Sequence, residues 1–217
     1  RARAVYTENG DGLTVAAGER WLIAGAPRDY ANGFERAGAV YVYERRTDGW
    51  GLVTRLASPA PSLDASFGRS VALDGDLLVI GEAGYTDGGS VHVFRFDGTW
   101  ALEITFSAPT SVPGSFGFSV AVDEATIAVG APSQEDRERP GQAYVYAEET
   151  GGWTLKAEIL ADFSEQRFRY GQHVQVSGES VAVAGARPGT IDILEPVGET
   201  WARTTSLTGS HSNSHFH

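Results

Sequence analysis

The groups in this chain that could do chemistry are hydroxyls, imidazoles and carboxylates. A hydroxyl nucleophile needs a base within hydrogen-bond reach and a third group to orient that base. No Gly-x-Ser-x-Gly elbow is present. Ser70 and Ser119, with Thr14 as their counterpart, recur at matched places along the chain. That is the pattern of a structural role, since one active site does not need copies. Of the histidines, His92 and His173 fall within strand-like runs, where they read as residues facing solvent or a neighbouring unit. His211, His215 and His217 sit in a Gly-Ser-Asn-rich tail whose loose spacing suits adventitious zinc or copper at most. Asp74-Gly75-Asp76 is too short to surround calcium with six or more oxygens and reads as a hairpin turn. Glu135 and Asp136 lie side by side, whereas glycoside hydrolysis needs carboxylates opposed across a pocket. Phosphate-cradling glycine loops are absent. The sequence therefore predicts no catalytic residue, no cofactor and no resident metal, and a chain that is not an enzyme.

The elements behind these groups are short and extended. Hydrophobic residues make up 41% of the 217 residues, in brief runs rich in Val, Ile, Tyr, Phe and Trp, punctuated by 27 glycines. That composition favours half-buried strands joined by many turns over helices. The formal charge of −11 repels polyanions and argues against nucleic acid as a partner. Among the basic residues only Lys156 is a lysine, so the acidic surface is relieved by planar arginine forks. Without cysteine, neither a disulfide framework nor a thiolate metal site can form. No stretch is long and apolar enough for a spanning helix, so membrane insertion is not expected. The start at Arg1 and the lack of methionine suggest a processed or excised fragment.

The main organising signal is an internal repeat. One copy runs from Phe67-Gly68 through Val71-Ala72-Leu73 to Gly81-Glu82-Ala83. The next runs from Phe116-Gly117 to Gly130-Ala131-Pro132, and the last from Tyr170-Gly171 to Gly185-Ala186. A more degenerate first copy has Asp11-Gly12 in place of the aromatic and glycine, and reaches Gly25-Ala26-Pro27. Each copy continues through a variable loop, a strand such as Ala39–Tyr43 or Ser90–Phe94, a turn, and a tryptophan (Trp50, Trp100, Trp153, Trp201) that opens another strand. Hairpin turns are signalled by Asp48-Gly49, Asp74-Gly75 and Asp97-Gly98. Four short antiparallel strands recurring at roughly 50-residue intervals is the period of β-propeller blades.

Phe-Gly, an apolar strand and Gly-Ala-Pro together resemble the FG-GAP repeat of integrin α-subunit propellers and of bacterial surface proteins, over roughly residues 11 to 207. The resemblance implies an all-β chain: a β-propeller-like array of about four four-stranded antiparallel blades. The expected organisation is an N-terminal segment 1–10 able to act as a closing strand, repeats at about 11–66, 67–115, 116–169 and 170–208, and a flexible tail 209–217. Integrin-type propellers have more blades than the four units found here. The array is therefore a compact four-bladed ring, a piece of a larger propeller, or an open array closed by a homo-oligomer or by further blades, because exposed strand edges are avoided. The family's calcium loops have no counterpart, so calcium dependence does not carry over.

In repeat architectures the matched positions build the scaffold and the unmatched loops are free to bind. The loops after the Gly-Ala-Pro position differ most, and they supply the candidate ligand-binding residues: Arg28, Asp29, Tyr30 and Asn32 from the first; Tyr85 and Asp87 from the second; Glu135, Asp136 and Arg137 from the third; Arg187 from the fourth. Carboxylates, amides and guanidinium groups beside aromatic faces suit a sugar. The expectation is a non-enzymatic, extracellular or cell-surface binding and adhesion module for a glycan or an extracellular protein, lectin-like in its sharper form. The competing reading is a structural subunit that self-assembles into a filament or surface layer through strand edges or blade contacts.

Overall fold

A computed structural model describes residues 14–84, 88–108, 115–133, 141–161, 169–185, 189–198 and 200–208. No helix occurs among them. They form four sheets, each of four sequential antiparallel strands. The first holds β1 (Thr14–Ala17), β2 (Trp21–Ala26), β3 (Ala39–Arg46) and β4 (Gly49–Leu56). The second holds β5 (Phe67–Asp74), β6 (Leu77–Glu82), β7 (Ser90–Phe96) and β8 (Trp100–Ser107). The third holds β9 (Ser119–Asp123), β10 (Thr126–Ala131), β11 (Gln142–Glu149) and β12 (Gly152–Leu160), and the fourth β13 (His173–Ser177), β14 (Ser180–Ala184), β15 (Thr190–Val197) and β16 (Thr200–Thr208). The chain divides into two compact units, Arg1–Gly117 and Phe118–His217.

In the first three sheets the second strand is the most buried, and its apolar run, such as Leu77–Ile80 or Ile127–Val129, is enclosed, whereas β14 alternates buried and half-buried residues. A strand covered on both faces must read as a continuous apolar stretch, whereas the fourth strands alternate and stay half open. In the first unit Trp21, Ile23, Val40, Val42, Phe67, Leu78, Ile80 and Phe94 make one core. In the second unit Tyr170, Val181, Val183, Leu194 and Trp201 anchor another.

The repeated residues explain how a sheet joins its successor within a unit. Phe67 and Phe116 are fully enclosed, and the glycine after each takes a positive φ, 85° at Gly68 and 84° at Gly117. The carbonyl of the glycine after the aromatic accepts a hydroxyl from a first strand of the same unit. Thr14 Oγ1 donates to Gly68 O at 2.8 Å, Ser70 Oγ to Gly117 O at 2.8 Å, and Ser119 Oγ to Gly171 O at 2.8 Å. The glycine of the Gly-Ala-Pro position lies against the same carbonyl: a Cβ at Gly81 would overlap Gly117 O, and one at Gly130 would overlap Gly171 O. The recurring Ser or Thr, the Phe-Gly and the later Gly are thus three parts of one joint.

Each third–fourth strand pair also carries a β-bulge at the same place, opposite Val42/Tyr43, Val93/Phe94, Val145/Tyr146 and Ile193/Leu194. The extra residue re-aims the end of the fourth strand. It sets Arg55 across from Tyr41, Thr105 across from His92, Glu158 across from Tyr144 and Ser206 across from Asp192. A polar pair therefore recurs at the same end of every sheet.

Candidate functional site

The β2–β3 loop of the first sheet begins where β2 ends and is built by local turn chemistry. Ala31 and Phe34 bridge to each other across Asn32-Gly33, whose φ values of 50° and 98° are those of a tight hairpin turn that Asn-Gly favours. Asp29 closes the base of the loop, its amide donating to Ala26 O at 3.1 Å and its carbonyl accepting from Gly38 N at 2.9 Å. The Asp29 carboxylate accepts the Tyr41 hydroxyl at 2.6 Å. Arg55 reaches across from β4, donating to Tyr30 O at 2.8 Å, with its guanidinium 4.0 Å from Asp29 Oδ2. Burial first, and then the Asp29 carboxylate, push the Tyr41 phenol above its ordinary range, while Arg55 pulls the other way. These contacts hold a rigid base from which Tyr30 projects 63% exposed and Phe34 42% exposed.

Of the residues the sequence singles out, Asp29 and Tyr30 are brought together through Tyr41 and Arg55, and Arg28 and Asn32 lie exposed on the same loop. Tyr85, Asp87, Glu135, Asp136, Arg137 and Arg187 lie outside the described residues. So do segment 1–10 and tail 209–217. Asp76, at the short Asp74-Gly75-Asp76 turn, accepts the Trp21 indole at 2.8 Å. His173 is exposed at the start of β13.

Sequence reasoning missed Tyr41 and Arg55 as supports, and it missed a polar cluster in the second sheet. His92 is 2% exposed, with Nε2 2.5 Å from Glu82 Oε2 and Nδ1 3.0 Å from Thr105 Oγ1. Ser58 Oγ donates to the same Glu82 oxygen at 2.9 Å. A cavity of about 290 Å³ opens beside them. A signal for it did exist: Glu82 stands where the other copies carry Ala26, Ala131 and Ala186.

A protein-family model, described as FG-GAP repeat, matches residues 50–94 and 113–146. These spans hold the Phe-Gly and Gly-Ala-Pro positions of the joint described above. Residues 50–94 and 113–146 carry FG-GAP repeats. Its sheets are β-propeller blades, as shown by similarity to solved structures. The periplasmic gluconolactonase PpgL of Pseudomonas aeruginosa is 15% identical, with a TM-score of 0.59 over 98% of this chain and 61% of that one. A functionally unknown protein from Desulfotomaculum acetoxidans is 11% identical, with a TM-score of 0.57 over 90% and 56%. A mutant Aleuria aurantia lectin in complex with Fucα1-6GlcNAc is 16% identical, with a TM-score of 0.51 over 90% and 61%. The chain thus spans about three fifths of these structures. No curated protein matches it in sequence.

One expectation is corrected by this comparison. The missing elbow, zinc and phosphate motifs suggested that the chain is not an enzyme. Yet a gluconolactonase is among the structures sharing the fold, so the fold itself does not exclude catalysis.

Proposed function

We propose that this chain is a ligand-binding module that receives a glycan, or a glycan-bearing protein, on the β2–β3 loop of its first blade. The observation that carries the reading is an exposed aromatic on a braced base: Tyr30 stands 63% exposed while its own carbonyl is clamped by Arg55 at 2.8 Å. A rigid aromatic loses little conformational entropy on binding, and its face covers the apolar side of a sugar ring. Asn32 and Arg28 on the same loop offer amide and guanidinium groups to ring hydroxyls. The lectin complex sharing the fold is consistent with this use of blades, and the FG-GAP repeats and the periplasmic neighbour with a site of action outside the cytoplasm.

The test is a glycan and matrix-protein array probed with the purified chain, in calcium and then in chelator, beside the Tyr30→Ala variant. The expected result is selective binding that survives chelation and falls roughly tenfold or more in Tyr30→Ala, the scale of a lost aromatic anchor. Equal binding by the variant would overturn the assignment of the loop.

A further inference from the structure

The end of the second blade differs from its three counterparts in ways the joint between blades does not require. Glu82 pairs with Ser90, and Ser90 with Ser107, in one row across β6, β7 and β8. His92 and Thr105 form the next row on the same face, beyond Val91 and Phe106. Side chains two apart on a strand share a face, so Ser90 and His92 stand beside Thr105 and Ser107 on one patch of sheet. The equivalent row in the third blade is Ala131, Gln142 and Leu160. Only the second blade places a carboxylate and two hydroxyls there among the described residues.

Burying a carboxylate is costly unless it is paired. Glu82 is 8% exposed, and both of its hydrogen bonds, from Ser58 and with His92, fall on Oε2. Among the described residues Oε1 takes no hydrogen bond, and Glu82 lines the cavity. Ser90, Thr105 and Ser107 line the same cavity. It holds about 290 Å³, the lower end of the range for ligand pockets, roughly 300–1,000 Å³.

We propose that this cavity is a binding seat for one small neutral polyol, of the size of a single hexose. An open carboxylate oxygen accepts from ligand hydroxyls, and the serine and threonine hydroxyls both donate and accept, which is the complement of a polyol. An anion would meet Glu82 with no Arg or Lys among the described lining residues to offset it. An ammonium ion would meet one carboxylate shared with His92 and, among the described lining residues, no aromatic face apart from that imidazole. The seat uses none of the residues of the β2–β3 loop, so it goes beyond the loop reading and fails or holds separately from it.

The experiment follows the ring nitrogens of His92 by NMR in the intact chain labelled with 15N-histidine, titrated with D-glucose, D-galactose, L-fucose or glycerol. One or more of these should shift the His92 signals saturably, and Tyr30→Ala should titrate like the parent. Glu82→Gln keeps the shape and removes the charge, and it should weaken binding by roughly tenfold or more, the scale of a hydrogen bond to a charged group. Ser107→Ala, at an exposed strand end, should weaken binding several-fold, and it carries the test if Glu82→Gln does not fold. No response to any of the four probes, a saturable response to ethylammonium in their place, or unchanged affinity in Ser107→Ala would overturn the proposal.

Discussion

Tyr144 and Tyr146 stand two apart on β11, both enclosed, with Glu158 of β12 paired across from Tyr144. Burial first, and then the Glu158 carboxylate, raise both phenols above the ordinary value near 10; Tyr146 is pushed up to about 12. A raised folded-state value means that the folded chain holds the phenolic proton more tightly than the unfolded chain does. The resulting stability is full below pH about 10 and is lost as pH rises from there through about 12. We predict an alkaline unfolding transition in that window by circular dichroism, coincident with tyrosinate absorbance. Tyr146→Phe should move it to higher pH; an unmoved transition would place its cause elsewhere. At this scale the sequence was partly legible. The departure of Glu82 from the alanine of the other copies could be read without coordinates. Its meeting with His92 could not, because that depends on strand register and on Ser58 arriving from the link between two blades.

Among the elements, the joint between blades is the part of the fold most open to test. Each joint places a Ser or Thr hydroxyl, a Phe-Gly or Tyr-Gly carbonyl and a glycine without room for Cβ at one point. Ser119→Ala removes a single 2.8 Å hydrogen bond and should cost about 1 kcal/mol in denaturant unfolding. Gly130→Ala forces a methyl group into the Gly171 carbonyl and should cost more, on the order of 1–3 kcal/mol or above. The reverse order of severity would contradict the account of the joint. Aromatic-Gly and Gly-Ala-Pro announced these joints because their residue types are forced by positive φ and close approach. The four bulges gave no such signal. Their extra residues, Val53, Glu103, Lys156 and Thr204, share no chemistry, because a bulge needs an additional residue and no particular side chain. Yet the bulges set Arg55 opposite Tyr41 and so complete the support under the candidate loop.

At the scale of the whole molecule, two features narrow the ligand. The chain spans only 61% of the length of PpgL and of the lectin structure, so activities of those whole proteins do not transfer to it. Its formal charge of −11 repels sulfated and other strongly acidic glycans at long range, which favours neutral sugars as ligands. The central claim, that the braced β2–β3 loop of the first blade is where a ligand lands, is tested most directly by titrating the strongest neutral glycan from the array into 15N-labelled protein and following the backbone amides. The account predicts that the largest shifts fall within residues 28–36 and at Arg55. Shifts confined to other segments, with this loop unmoved at saturation, would contradict it.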